Sequence, residues 1–118
     1  MAFHLTPDIM RAAYGFLHSL PPFNKWNLPE PEDMRFKVAK SAINYGWCDG
    51  RRKLKMPLIA VSSRSHGIPS TLLKTLAHEM IHLYMYAHNI PDRSEHGKTF
   101  KAYWQQVCVV LGYDPKDY

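Results

Sequence analysis

Between Thr71 and Ala87 the chain is apolar at nearly every position except along one stripe. At about 100° per residue, Thr71, Thr75, His78, Glu79, His82 and Tyr86 share an arc no wider than roughly a third of a helix circumference. Leu72, Leu73, Leu76, Ala77, Met80, Ile81, Leu83, Tyr84, Met85 and Ala87 fill the remainder apart from Lys74. That inverts the pattern of a surface helix. A helix apolar around most of its perimeter is buried, so its polar stripe must face a partner or a cleft.

The segments on either side predict the other elements. Thr6-Pro7-Asp8 is a helix start, with a hydroxyl cap, proline in the first turn and an acid near the positive end of the helix dipole. Ile9, Ala12, Ala13, Phe16 and Leu17 share one face of that helix, His18 lies beside it as a structural or surface residue, and Pro21-Pro22 ends it. Met34, Phe36 and Val38 alternate with Arg35 and Lys37, the mark of a half-buried strand. A second strand is expected from Asn44 to Cys48, followed by a turn at Asp49-Gly50. Pro57 to Val61 is more continuously apolar and should lie deeper. Three short strands joined by close turns predict a small sheet that is antiparallel or mostly so. Gly67 and Pro69 punctuate the entry to the central helix, with His66 a loop residue. Asn89-Ile90-Pro91-Asp92 closes that helix. A last helix is expected from Lys98 to Leu111, with Phe100, Tyr103, Trp104, Val107 and Leu111 on one face, Cys108 buried beside it and Gly112 as its stop. The class is α+β, and 118 residues suit one domain spanning 1–118.

Charge narrows the field only slightly. Fifteen Lys and Arg against ten Asp and Glu give a net charge of +5 and a pI near 9.3. This balance favours polyanionic partners. If the chain binds DNA, Arg51, Arg52, Lys53 and Lys55 are the expected phosphate contacts, and Trp47 is placed to stack on an unpaired base. The competing reading is a solvated hairpin tip beside a core tryptophan. No apolar run is long enough to cross a bilayer, and no secretory signal is visible at the N-terminus. Cys48 and Cys108 form no disulfide framework. A cytoplasmic location is expected, nucleoid-associated if the chain works on DNA.

The polar stripe carries the chemistry. His78, Glu79 and His82 stand in the order H-E-x-x-H, so two imidazoles one turn apart can close on one metal ion while the carboxylate faces a bound water. A catalytic zinc takes three protein ligands and keeps a fourth position open. Three residues compete for the third place. His88 projects about 100° away from the other two if the helix continues. Glu95 would make a two-histidine, one-carboxylate site. His96, followed by Gly97 where the last helix begins, can swing over the metal and is the preferred candidate. Tyr84, Tyr86, Tyr103 and Arg93 are unranked candidates for stabilising a tetrahedral oxyanion.

The segment TLAHEMIHLY followed by EHGKTFKAYW resembles the SprT family of zinc metalloproteases, which includes the Spartan proteases. His96-Gly97-Lys98-Thr99-Phe100 is similar to that family's H-G-x-x-[FW] element. Gly46-Trp47-Cys48 and Ile59 to Ser62 are similar to its strand elements. The resemblance implies a minimal zincin-like domain, without the C-terminal zinc ribbon of longer members. It further implies one catalytic zinc ion on His78, His82 and His96, with Glu79 as general base acting on a protein substrate. For the better-known members it implies cleavage of proteins crosslinked to DNA, switched on by single-stranded or damaged DNA. Two rival readings stand beside it: a metal-stabilised DNA-binding protein without protease activity, and a small metallopeptidase indifferent to DNA.

Overall fold

The computed structural model describes residues 4–40, 46–50, 56–63 and 69–118. Helix α1 (Pro7–His18) begins as its sequence predicts, with the Thr6 hydroxyl accepting a hydrogen bond from the Ile9 amide at 3.1 Å. Two short 3-10 turns, Phe23–Lys25 and Pro31–Asp33, lead into the sheet. Its strands are β1 (Arg35–Ala39), β2 (Gly46–Asp49) and β3 (Leu58–Ser62). Helices α2 (Pro69–Ala87) and α3 (Lys98–Leu111) complete the order.

The buried face of α1 is rotated from the expected one. Met10, Tyr14 and Leu17 are fully buried, while Phe16 is 53% exposed. The tyrosine explains the shift. Its ring meets Phe36 edge-on at 5.4 Å and its hydroxyl donates to the Pro29 carbonyl at 2.6 Å. A buried Tyr counts as apolar once its hydroxyl is satisfied.

The sheet also departs from expectation. The strand order is β1-β3-β2, with β2 antiparallel to β3 but β1 parallel to it. The antiparallel prediction therefore holds for one of the two pairings. The physical reason is β3, whose Ile59, Ala60 and Val61 are fully buried. So apolar a strand takes the central position, and with β2 on one edge, β1 can reach only the other. Running opposite to β2 on the far edge, β1 is parallel to β3.

Helix α2 packs against the sheet and both other helices. Leu72, Leu76, Ala77, Met80, Ile81, Leu83 and Met85 are all buried, so the all-round apolar pattern means what it predicts. The helix ends in a Schellman motif. Asn89 (φ 50°) takes the left-handed position, the Ile90 amide reaches the Met85 carbonyl at 2.9 Å, and the Asn89 amide reaches that of Tyr86 at 3.3 Å. Helix α3 spans the predicted residues and ends at Gly112 (φ 78°), whose amide bonds to the Cys108 carbonyl at 2.8 Å. Both cysteines are free, and Cys108 is buried.

Candidate metal centre

His78 and His82 lie one turn apart on α2, and the loop after that helix carries His96 to meet them. The His96 Nε2 is 3.0 Å from that of His78 and 3.3 Å from that of His82. Tetrahedral zinc with Zn–N bonds of 2.0–2.1 Å separates its ligand nitrogens by about 3.3 Å. Two of the three separations are close to that edge, and one ligand atom from each ring lies within 4.8 Å of the other two, so the three imidazoles can close on one divalent ion. His88 stands apart. It is exposed, with its Nδ1 against the Tyr84 carbonyl at 3.0 Å. Glu95 lines the cleft but is not among the clustered ligands.

A single aromatic ring forms the floor of the cluster. Phe100 is fully buried, and its ring centroid lies 4.8 Å from His78, 4.7 Å from His82 and 4.9 Å from His96. Phe100 lies in the first turn of α3 and His96 just before its cap, with the two rings 4.9 Å apart.

That first turn is held by a residue sequence reasoning passed over. Gly97 occupies the N-cap position and has no side chain with which to cap. Asp92 does so instead, accepting from the Phe100 amide at 3.0 Å and the Arg93 amide at 2.9 Å. The Phe100 amide contributes most to holding its carboxyl below the usual range, helped by the amides of Arg93, Thr99 and Gly97. A Cβ on residue 97 would lie 2.0 Å from Asp92 Oδ1. The glycine next to His96 is thus required for space. Its φ of −80° would suit any residue.

Burial sets the protonation states. In the metal-free fold, burial first, then the neighbouring histidines, push His78 down to about 3. Burial and His96 push His82 down to about 4. Both rings are neutral at physiological pH, the form that binds a metal. Glu79 is buried, and burial with Glu95 nearby pushes its carboxyl up to about 8. A bound dication would draw it back toward the carboxylate.

The cleft above the cluster has a volume of about 550 Å³ and is lined by Thr71, Lys74, Thr75, Glu79, Glu95 and Gly46, among others. Of the four oxyanion candidates, Tyr86 is the one stacked on a clustered histidine, 6.1 Å from His82. Tyr84 and Tyr103 pack instead with Trp26, and Arg93 is exposed. Trp47 is a half-buried residue of β2. Arg51, Arg52, Lys53 and Lys55 lie outside the described residues, as does His66.

An α+β fold gathers three neutral histidines around one open point, with a buried glutamate beside two of them on α2, and so positions them to bind a metal ion in the H-E-x-x-H arrangement. A profile of the SprT-like family matches residues 23–118, and the chain belongs to that family. No curated protein matches the chain closely enough to count as a relative. Among the described residues no helix is long and apolar enough to cross a membrane.

Proposed function

We propose that the chain is a zinc-dependent metallopeptidase in which His78, His82 and His96 hold the ion and Glu79 is the general base. The observation that carries this reading is the convergence of three Nε2 atoms at 3.0 and 3.3 Å beside a buried glutamate. When bound, zinc supplies an acidified water and polarises the scissile carbonyl. Glu79 accepts the water's proton and later delivers it to the leaving amine. Gly46 lies beside Glu79: a Cβ there would meet Ala60 O and Thr75 Cγ2 at 2.9 Å and come within ordinary contact, 3.6 Å, of Glu79 Oε2. The edge strand β2 borders the cleft through Gly46, and an extended peptide can pair with such an edge while its carbonyl faces Glu79. Tyr86, stacked on His82, is the hydroxyl we favour for the oxyanion.

Action on DNA-associated proteins is part of the proposal and rests on the family and on the net charge of +5. The test is direct. Zinc-loaded protein is assayed for casein and histone cleavage with and without single-stranded DNA, beside Glu79→Gln. Cleavage should fall by at least a thousandfold in the variant while one zinc per chain is retained. Cleavage surviving in Glu79→Gln would overturn the assignment. Activity indifferent to DNA would leave a peptidase without the DNA role.

A further inference from the structure

The chain turns back after α3. Gly112 reverses it, the Tyr113 ring lies parallel to Trp104 at 6.0 Å, and a turn follows in which Asp114 accepts from the Lys116 amide at 2.9 Å. Asp117 then forms an ion pair with Lys74 of α2. The Tyr118 ring comes to rest 5.7 Å from His96 and 6.4 Å from Phe100, with the Lys101 ammonium 5.0 Å from its centroid. Asp117 and Tyr118 line the same cleft as His78, Glu79 and His96.

Lys74 lies one turn before His78, on the cleft side of α2. Among the described residues it is the one lysine or arginine lining the cleft, where Glu79, Glu95 and Asp117 are the carboxylates. We propose that Lys74 is a specificity-determining residue that pairs with an acidic side chain of the peptide substrate, and that Asp117 occupies this position in cis until the peptide displaces it. The inference rests on the peptidase reading. Its physical basis is that the acid–aromatic pair Asp117-Tyr118 already shows what the cleft accommodates: a carboxylate on Lys74 with a ring beside His96.

The occupant is weakly held. Lys74 is 28% and Asp117 70% exposed, so water and salt screen the pair. The Lys101–Tyr118 contact is likewise an exposed cation–π pair. An incoming peptide brings the same carboxylate together with backbone bonds to the edge strand. It therefore replaces the segment at little cost, and peptides without the acid compete less well.

Binding is measured apart from cleavage with zinc-loaded Glu79→Gln protein. The probes are fluorescein-labelled, capped alanine peptides containing glutamate, glutamine or lysine next to a tyrosine. The glutamate peptide should bind about three- to tenfold tighter than the lysine peptide at low salt. The difference should vanish in Lys74→Ala and reverse in Lys74→Glu. Asp117→Asn should tighten the glutamate and glutamine peptides by a similar factor, since each must displace the segment, and leave the preference for glutamate in place. A preference for glutamate that survives Lys74→Glu overturns the proposal, as does an Asp117→Asn variant that gains nothing, or no binding of any peptide. Should wild-type protein bind these peptides with the expected charge preference yet cut none of them, the peptidase reading fails while the Lys74 assignment stands.

Discussion

At the scale of single residues, the clustered histidines were the legible part and their support was not. His78, Glu79 and His82 are visible because a helical repeat fixes their mutual direction whatever surrounds them. His96 required the Gly97 and Phe100 pattern, since its direction depends on a loop. Asp92 could not be read at all: its role appears only once the loop folds back and brings it to amides five to eight residues away. Its partnership with Gly97 yields a prediction. Asp92→Ala removes the cap from α3 and lets His96 drift, so zinc affinity should fall by about tenfold, the lower end for loss of an outer-shell support. Asp92→Asn keeps an acceptor and should recover most of that loss. Competition with a chromophoric chelator measures the affinity, and the visible spectrum of the cobalt-substituted protein reports whether three imidazoles still bind. If Asp92→Ala binds zinc as tightly as the unaltered protein, the carboxylate is not what positions the histidine.

At the scale of elements, the helices were more legible than the sheet. The bounds of α3 and the burial of α2 follow from local periodicity and end signals. Strand order does not, because pairing depends on which strand is apolar enough to be central. The rotation of α1 has a similar origin, in a tyrosine whose hydroxyl finds the Pro29 carbonyl only in the folded chain. The contact between β2 and α2 can be tested at Gly46. A methyl there would meet a backbone oxygen and Thr75 Cγ2 at 2.9 Å, closer than real Cβ contacts, and the backbone oxygen cannot move aside by a rotamer change. Gly46→Ala should destabilise the protein by about 1–3 kcal/mol, the usual range for overpacking. It should also depress turnover more than zinc affinity, because the strand that shifts abuts Glu79 rather than the histidines. Urea melts and zinc titration of the same preparation separate the two effects. A variant of unchanged stability would mean that the strand and helix have slack between them.

For the molecule as a whole, the buried stripe makes stability depend on pH and metal together. In the metal-free protein His78 titrates at about 3 and His82 at about 4, against 6.5 for an unperturbed histidine. Below pH 6.5 the unfolded chain therefore takes up two protons that the fold refuses, and stability falls as pH falls. Glu79 acts in the opposite direction. Its carboxyl titrates at about 8 against 4.5, so between those values the fold holds a proton that the unfolded chain has released. That contribution is complete below 4.5 and is lost as pH rises through 8. From pH 8 down to 6.5 the glutamate alone contributes, and stability should rise by about 2 kcal/mol. Below 6.5 the two histidines outweigh it, leaving a net loss of about 1.4 kcal/mol per pH unit. The metal-free protein should thus be most stable near pH 6.5. Glu79→Gln should abolish the alkaline limb and steepen the acid one toward two protons. Zinc should also remove the alkaline limb, since a dication favours the carboxylate. It should besides add about 2.7 kcal/mol of stability at a hundredfold excess over Kd, and so raise the melting temperature. Calorimetry from pH 8 to pH 5, with and without chelator, reads both effects. A wild-type curve already flat from pH 8 to 6.5 without metal would mean that Glu79 is ionised in the empty site, and that its burial is not what tunes it.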